Sequence, residues 1–189
     1  MAKKQKKKIA IYPGSFNPIH PGHMEVILQA AKVFDKVIVL VADNPEKEYK
    51  VSKDDRVELI KEFLRLYQDE CSNVTVDATY DTLYGYCHEK ASYDPDNEIG
   101  FIVRGLRNGA DLDYEMSQKY FVLSMGDACL TLTYAFFTVR PGTSLLSSSS
   151  LRQFIQLSTD KEFCRAYWPY VPVEPALSNQ IYRLYKGKC

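Results

Sequence analysis

The segment Lys36-Val37-Ile38-Val39-Leu40-Val41-Ala42 constrains the fold of this chain more than any other. It is rich in β-branched residues and has no in/out alternation of apolar and polar side chains. A strand with that pattern is covered on both faces, as happens at the centre of a parallel sheet. Parallel neighbours need crossover connections, and the flanking sequence supplies them. Apolar strand-like runs alternate with helix-period segments along most of the chain.

The first such unit is Ile9-Ala10-Ile11-Tyr12, a Gly/Pro-rich turn, and a helix starting near Gly22 that carries Met24, Val26, Ile27, Ala30 and Ala31. A polar loop over 43–52 follows the central strand. Asp54 to Tyr67 is amphipathic, with Val57, Leu59, Ile60, Phe63 and Leu64 on one side, Ser52 as N-cap and Asp55 at the capping-box position. Further along we expect a strand at Asn73–Val76, a helix over 81–91, a turn at 93–97 and a strand from Ile99 to Val103. A helix from Asp111 to Met125, a strand from Leu130 to Val139 and a turn at Pro141-Gly142 come next. The last elements are a helix starting within Ser147–Ser150 and running to about Leu157, and a short final helix with Ile181, Leu184 and Tyr185 after Pro172 and Pro175. This rhythm predicts an α/β fold with an open parallel sheet and helices on both faces. Ligands in such folds bind beyond the carboxyl ends of the strands.

With 189 residues the chain fits one domain, expected over 9–189, with a helical extension from about 160 and a basic, disordered tail over 1–8. Lys plus Arg and Asp plus Glu are balanced at 24 each, so no whole-chain field points to nucleic acid or membrane as a partner. No apolar run is long enough to span a bilayer, and the lysine-rich start has no apolar segment behind it that would make it a signal peptide. Five scattered cysteines, none at metal-ligand or C-x-x-C spacing, fit free thiols in a reducing cytoplasm.

Four segments that could carry chemistry each follow a predicted strand. Residues 12–23 read Tyr-Pro-Gly-Ser-Phe-Asn-Pro-Ile-His-Pro-Gly-His, a turn that aims backbone N–H groups and a helix N-terminus at one point, where a phosphate would sit. Gly22 lets a phosphate approach the backbone, Ser15 adds a hydroxyl and His23 a donor. Zinc is not expected, since His20 and His23 lack further ligands nearby. Asn44-Pro45-Glu46-Lys47 offers Lys47 as a phosphate clamp. Arg104 and Arg107, in Val-Arg-Gly-Leu-Arg-Asn-Gly-Ala-Asp, present planar forks suited to phosphate oxygens. Asp113 and Glu115 are placed to orient those arginines or to accept from a ribose hydroxyl. Ser147 to Ser150 form an N-cap cluster at a helix start, a second anion seat.

Taken together, these segments resemble the phosphopantetheine adenylyltransferase family, within the nucleotidylyltransferase superfamily that has the HxGH signature. The resemblance rests on Tyr-Pro-Gly-Ser-Phe-Asn-Pro followed by His-Pro-Gly-His, on Asn-Pro-Glu-Lys with Ser52 and Arg56-Val57-Glu58-Leu59, on the serine-rich stretch ending at Arg152, and most specifically on Arg-Gly-Leu-Arg-Asn-Gly-Ala-Asp-Leu-Asp-Tyr-Glu. It covers roughly residues 8–177. It implies a Rossmann-like nucleotidylyltransferase fold and transfer of AMP from ATP to 4'-phosphopantetheine, with Mg²⁺ as cofactor and no covalent enzyme intermediate. By the same resemblance the catalytic residues are His23, Lys47 and Arg104. ATP would contact Ser15, Phe16, His23, Gly105, Leu106, Arg107 and Glu115. Its remaining contacts would be Thr143, Ser144, Leu145, Leu146, Ser147, Ser148 and Ser149. The acceptor would meet Ser15, Lys47, Leu83 and Arg104. The resemblance further implies a homo-hexamer and coenzyme A as a feedback ligand.

The chain departs from the family pattern at 126–143, at Glu48-Tyr49-Lys50 and at both ends. Gly-Ser-Phe-Asn-Pro-Ile-His is also similar to the nicotinamide mononucleotide adenylyltransferase branch, which stands as the alternative activity. An inactive nucleotide-binding module is the alternative of a different class.

Overall fold

Each apolar run that the helix-period segments separate becomes a strand, and the computed structural model places all of them in one sheet. It describes residues 6–44, 47–93, 97–125, 132–167 and 175–187. The elements are β1 (Lys7–Gly14), α1 (Pro21–Val33), β2 (Lys36–Val41), α2 (Lys53–Leu66), β3 (Val74–Ala78), α3 (Leu83–Tyr93) and β4 (Asn97–Leu106). They continue with α4 (Gly109–Met125), β5 (Thr133–Thr138), α5 (Pro141–Ser144), α6 (Ser148–Leu157), α7 (Asp160–Tyr167) and α8 (Pro175–Tyr185). The strand order is β3-β2-β1-β4-β5, and every pairing is parallel. The chain builds outward from β1 to β3, then crosses back and lays β4 on the other side of β1. That reversal opens a crevice between the carboxyl ends of β1 and β4.

The two faces of the sheet bury different halves of each strand. Val37, Val39 and Val41 join a core with Ala10, Tyr12, the inner face of α1, and Leu59, Ile60 and Phe63 of α2. Ile38 and Leu40 join a second core with Ile9, Ile11, Ile102, and Tyr86 and Cys87 of α3. Burying one such aliphatic side chain contributes roughly 1.5–3 kcal/mol. This two-sided burial explains why β2 lacks alternation. Ser52 caps α2 by accepting from the Asp55 N–H at 3.0 Å.

Several boundaries differ from the sequence expectation. β1 begins at Lys7, inside the basic run, because backbone pairing of Lys7 with Asn97 and Lys8 with Glu98 extends the ladder while both lysine side chains remain exposed. The Lys8 N–H also donates to Asp35 Oδ2 at 2.8 Å. Pro141-Gly142 opens the one-turn helix α5 rather than a simple turn, with Pro141 at the first helical position, where its missing N–H costs nothing. α4 starts two residues early because Asn108 Oδ1 accepts from the Asp111 N–H and caps it. α7 is an added helix, and Pro175 opens α8 instead of preceding it. The centre of the 93–97 turn, residues 126–131 and Pro172 lie outside the described residues.

The C-terminal helices belong to the main core. Phe163, Ile181 and Tyr185 are fully buried in it. Lys186 Nζ donates to the carbonyls of Ile155, Gln156 and Ser158 at 2.8–3.0 Å, which satisfies the open end of α6. Among the described residues, no helix is long and apolar enough to cross a membrane.

Close approach of α1 to β4 depends on Gly105. A Cβ there would stand 2.7 Å from Val26 Cγ2 and 3.6 Å from the Tyr12 hydroxyl. Gly105→Ala is expected to cost about 1–3 kcal/mol by overpacking, and adding Val26→Ala should recover part of the loss. Urea denaturation of both single variants and the double variant checks this. Strict additivity would show that the clash is not the cause.

Candidate functional site

The crevice is built first by the turn after β1. At Gly14 a Cβ would stand 3.0 Å from Phe16 Cζ, so the chain can fold the Phe16 ring back over the strand end. Phe16 adopts φ 44°, a left-handed conformation that costs a residue with a side chain roughly 1–2 kcal/mol. Its ring offsets that cost by being almost completely buried, with edge contacts to Tyr12 at 5.4 Å and His23 at 5.0 Å. His20 then caps α1, and Pro21 occupies the first helical position.

Two histidines pack together at this helix start. Their rings stack with centroids 3.7 Å apart. The His20 backbone N–H donates to His23 Nδ1 at 3.2 Å. Because Nδ1 accepts, the proton of a neutral His23 resides on Nε2, which becomes a donor. Burial pushes both imidazoles down. His20 falls to about 4, with the Arg107 charge adding to the effect. His23 is held well below its usual range by burial, then by His20 and Arg107. At neutral pH the pair is uncharged, and His23 serves as a hydrogen-bond donor without being a cation.

A cavity of about 670 Å³ occupies the crevice. Ser15, His23, Lys47, Gly105, Arg107 and Glu115 lie on its wall, and Thr143, Leu146, Ser147, Ser148 and Ser149 close it from the α5–α6 side. Arg107 is held in place by Asp111. Its backbone N–H and Nε donate to Asp111 Oδ2 at 2.8 and 2.9 Å, and Nη2 donates to Oδ1 at 2.8 Å. Arg104 stands behind the wall. Its Nε is 2.6 Å from Glu115 Oε2, and Nη1 donates to the Pro13 carbonyl at 3.2 Å.

Of the other residues singled out from the sequence, His20 and Gly22 lie on the wall, and Phe16, Leu83, Leu106, Ser144 and Leu145 lie off it. Phe16 sits under the turn and Leu106 ends β4. Ser144 donates to the Pro141 carbonyl, Leu145 points to solvent, and Leu83 opens α3 against the second core.

The serine cluster works as an N-cap. Ser147 Oγ accepts from the Ser150 N–H, and Ser150 Oγ accepts from the Ser147 N–H, both at 3.0 Å. Ser148 Oγ donates to the Pro18 carbonyl at 2.8 Å, and Arg152 donates to the Asn17 carbonyl. These bonds pin the start of α6 to the turn after β1. Two helix N-termini therefore meet one cavity, and their first-turn N–H groups lack intrahelical carbonyls. Sequence reasoning missed Glu25, which ties the start of α5 to α1. Its Oε2 accepts from the Arg140 N–H at 2.8 Å and from Thr143 Oγ1 at 3.0 Å. A signal was present: Glu25 is the one acidic residue of α1 and lies two positions after His23.

Lysine, arginine, a neutral imidazole donor and two helix starts around one polar cavity suit a highly anionic ligand. Transfer between phosphates needs positioning and charge neutralisation more than covalent chemistry, and this arrangement offers both.

Comparison with known proteins bears on the reading. The profile of the cytidylyltransferase-like family matches residues 11–154. The chain is 33% identical over 151 residues to a protein of Frankia alni named phosphopantetheine adenylyltransferase, spanning 80% of this chain and 86% of the relative. A protein of the same name from Clostridium botulinum is 38% identical over 146 residues, spanning 77% and 80%. Among solved structures, nicotinic acid mononucleotide adenylyltransferase of Plasmodium falciparum, complexed with NaAD, superposes with a TM-score of 0.67 at 16% identity over 95% of this chain and 97% of that one. Its complex with APC gives 0.65 at 17% identity over the same shares. At such identities the superpositions establish the shared fold alone.

The buried imidazoles make stability depend on pH. Between about pH 6.5 and 4 the unfolded chain takes up protons that the folded histidines do not. Stability should therefore fall as pH drops through this window, by up to about 1.4 kcal/mol per pH unit from His20. Denaturation of the native protein and a His20→Asn variant at pH 7, 6 and 5 checks this. The variant should lose less stability on acidification, and parallel pH curves would refute the assignment.

Proposed function

The chain belongs to the cytidylyltransferase-like family and, within it, to the phosphopantetheine adenylyltransferases, and on that premise we propose that it transfers AMP from ATP to 4'-phosphopantetheine, giving dephospho-coenzyme A and pyrophosphate. The observation that carries the reading is the convergence of Ser15, His23, Lys47, Arg107 and the capped start of α6 on one cavity at the switch between β1 and β4.

In this reading the triphosphate lies across the two helix N-termini, with His23 Nε2–H donating to the α-phosphate as charge builds on it. Arg107, Glu115 and the segment Thr143 to Ser149 take the nucleotide side, with Gly105 letting the backbone come close. Ser15 and Lys47 take the acceptor phosphate, backed by Arg104 between Pro13 and Glu115, and Leu83 lines the way for the pantetheine arm. An acceptor phosphate oxygen attacks the α-phosphorus as the α–β bridging P–O bond breaks, and pyrophosphate leaves. The attacking group is already anionic, so no general base is needed. The gain comes from alignment and from donors fixed in advance.

Magnesium bound with the nucleotide would supply charge neutralisation on the triphosphate. The described residues bring together no group of three His, Cys, Asp or Glu side chains. Phosphate oxygens and water would therefore hold most of its coordination sphere, as is usual for this ion. Cytoplasmic residence, a hexameric assembly and coenzyme A as a feedback ligand complete the proposal by analogy with the family.

Pyrophosphate release from ATP and Mg²⁺ should depend on 4'-phosphopantetheine and not on nicotinamide mononucleotide. Release with the nucleotide alone would transfer the assignment to the alternative branch, and release with neither would leave only a binding module. His23→Ala should lower kcat by roughly two to three orders of magnitude, the effect of losing one donor to a transition-state oxyanion. Unchanged turnover in that variant would remove His23 from the mechanism.

A further inference from the structure

Arg56 is the largest fully buried side chain among the described residues, 1% exposed, and it lies outside the cavity wall. A guanidinium withdrawn from water must place its N–H groups on fixed acceptors. Here those acceptors come from different segments. Nη1 donates to the Ser15 carbonyl at 2.8 Å, Nη2 to Asp43 Oδ1 at 2.7 Å, and Nε to the Ser52 carbonyl at 3.2 Å. The Tyr49 ring lies 4.6 Å from the guanidinium carbon, and the Tyr49 hydroxyl accepts from the Asn44 N–H at 3.0 Å. Asp43 also faces Lys53 Nζ at 3.4 Å, and Lys53 donates to the Thr79 carbonyl at 2.5 Å.

The carboxyl ends of β1, β2 and β3 and the start of α2 are thereby laced to one carboxylate and its two cations. The loop 43–52 carries Lys47, and the turn after β1 carries Ser15. Arg56 is the side chain that bonds to the turn and to both ends of that loop.

We infer that Arg56 is a positioning residue for the acceptor: it sets the loop of Lys47 against Ser15 and so fixes the seat of the acceptor phosphate without touching substrate. This rests on the function proposed above. A planar fork is required, since three acceptors in three directions cannot be met by one ammonium group without losing the stack on Tyr49.

The test uses the full-length protein with Arg56→Lys and Asp43→Asn. The first keeps the charge and loses the fork. The second keeps the acceptor atom, weakens the hold on Arg56, and decides the matter if the first does not fold. Steady-state kinetics should show KM for 4'-phosphopantetheine raised about tenfold in a folded Arg56→Lys, with KM for ATP changed by less than about threefold. Asp43→Asn should move the same constant in the same direction by a smaller factor. Equal rises in both KM values, or a fall in kcat with both unchanged, would overturn the inference while leaving the function standing. A native protein inert toward 4'-phosphopantetheine would overturn both.

Discussion

The position of β1 between β2 and β4 is the constraint from which the rest follows. In a parallel sheet every strand ends at the same edge, and every following helix starts there. Because the chain reverses direction across β1, the connections on its two sides diverge and leave room between them. The turn after β1 and the loop after β4 face that room, and α5–α6 close it. A ligand placed there meets loop backbone and helix starts and no packed side-chain core.

Within that geometry the electrostatics are arranged by pairing. Arg107 is braced by Asp111 and Arg104 by Glu115, so each guanidinium has a defined direction. His23 is treated differently. Burial keeps it neutral, and the His20 backbone N–H selects its tautomer. A neutral donor beside Arg107 offers a hydrogen bond to an anion without adding a further desolvated charge of its own. The strained φ of Phe16 belongs to the same design. Its ring packs on His23, so backbone strain in the turn is exchanged for a fixed imidazole.

Much of this was legible in the residues. The strand of Val37 to Val41 announced itself because both of its faces are apolar. The caps at Ser52 and Ser147 announced themselves because Ser before an amphipathic run meets orphan N–H groups. Boundaries were less legible where partners at long range decide them. Lys7 and Lys8 extend β1 only because Asn97 and Glu98 lie alongside. The roles of Glu25 and Arg56 were opaque for the same reason. Their partners, Thr143 and Ser15, are 118 and 41 positions away in sequence.

Local chemistry thus determined the strands, most of the helices and the phosphate-seeking turns, while the family was legible only as a resemblance of whole motifs. The former depend on side-chain period, capping groups and glycine spacing, which act over a few residues. Tertiary structure decided which charged groups face the cavity and which stand behind it as braces. That division turns on solvent exclusion and on contacts between distant segments. Lys47 and Arg56 are both cations in the same stretch of sequence, yet only folding leaves one exposed on the cavity wall and encloses the other between two carbonyl oxygens and a carboxylate.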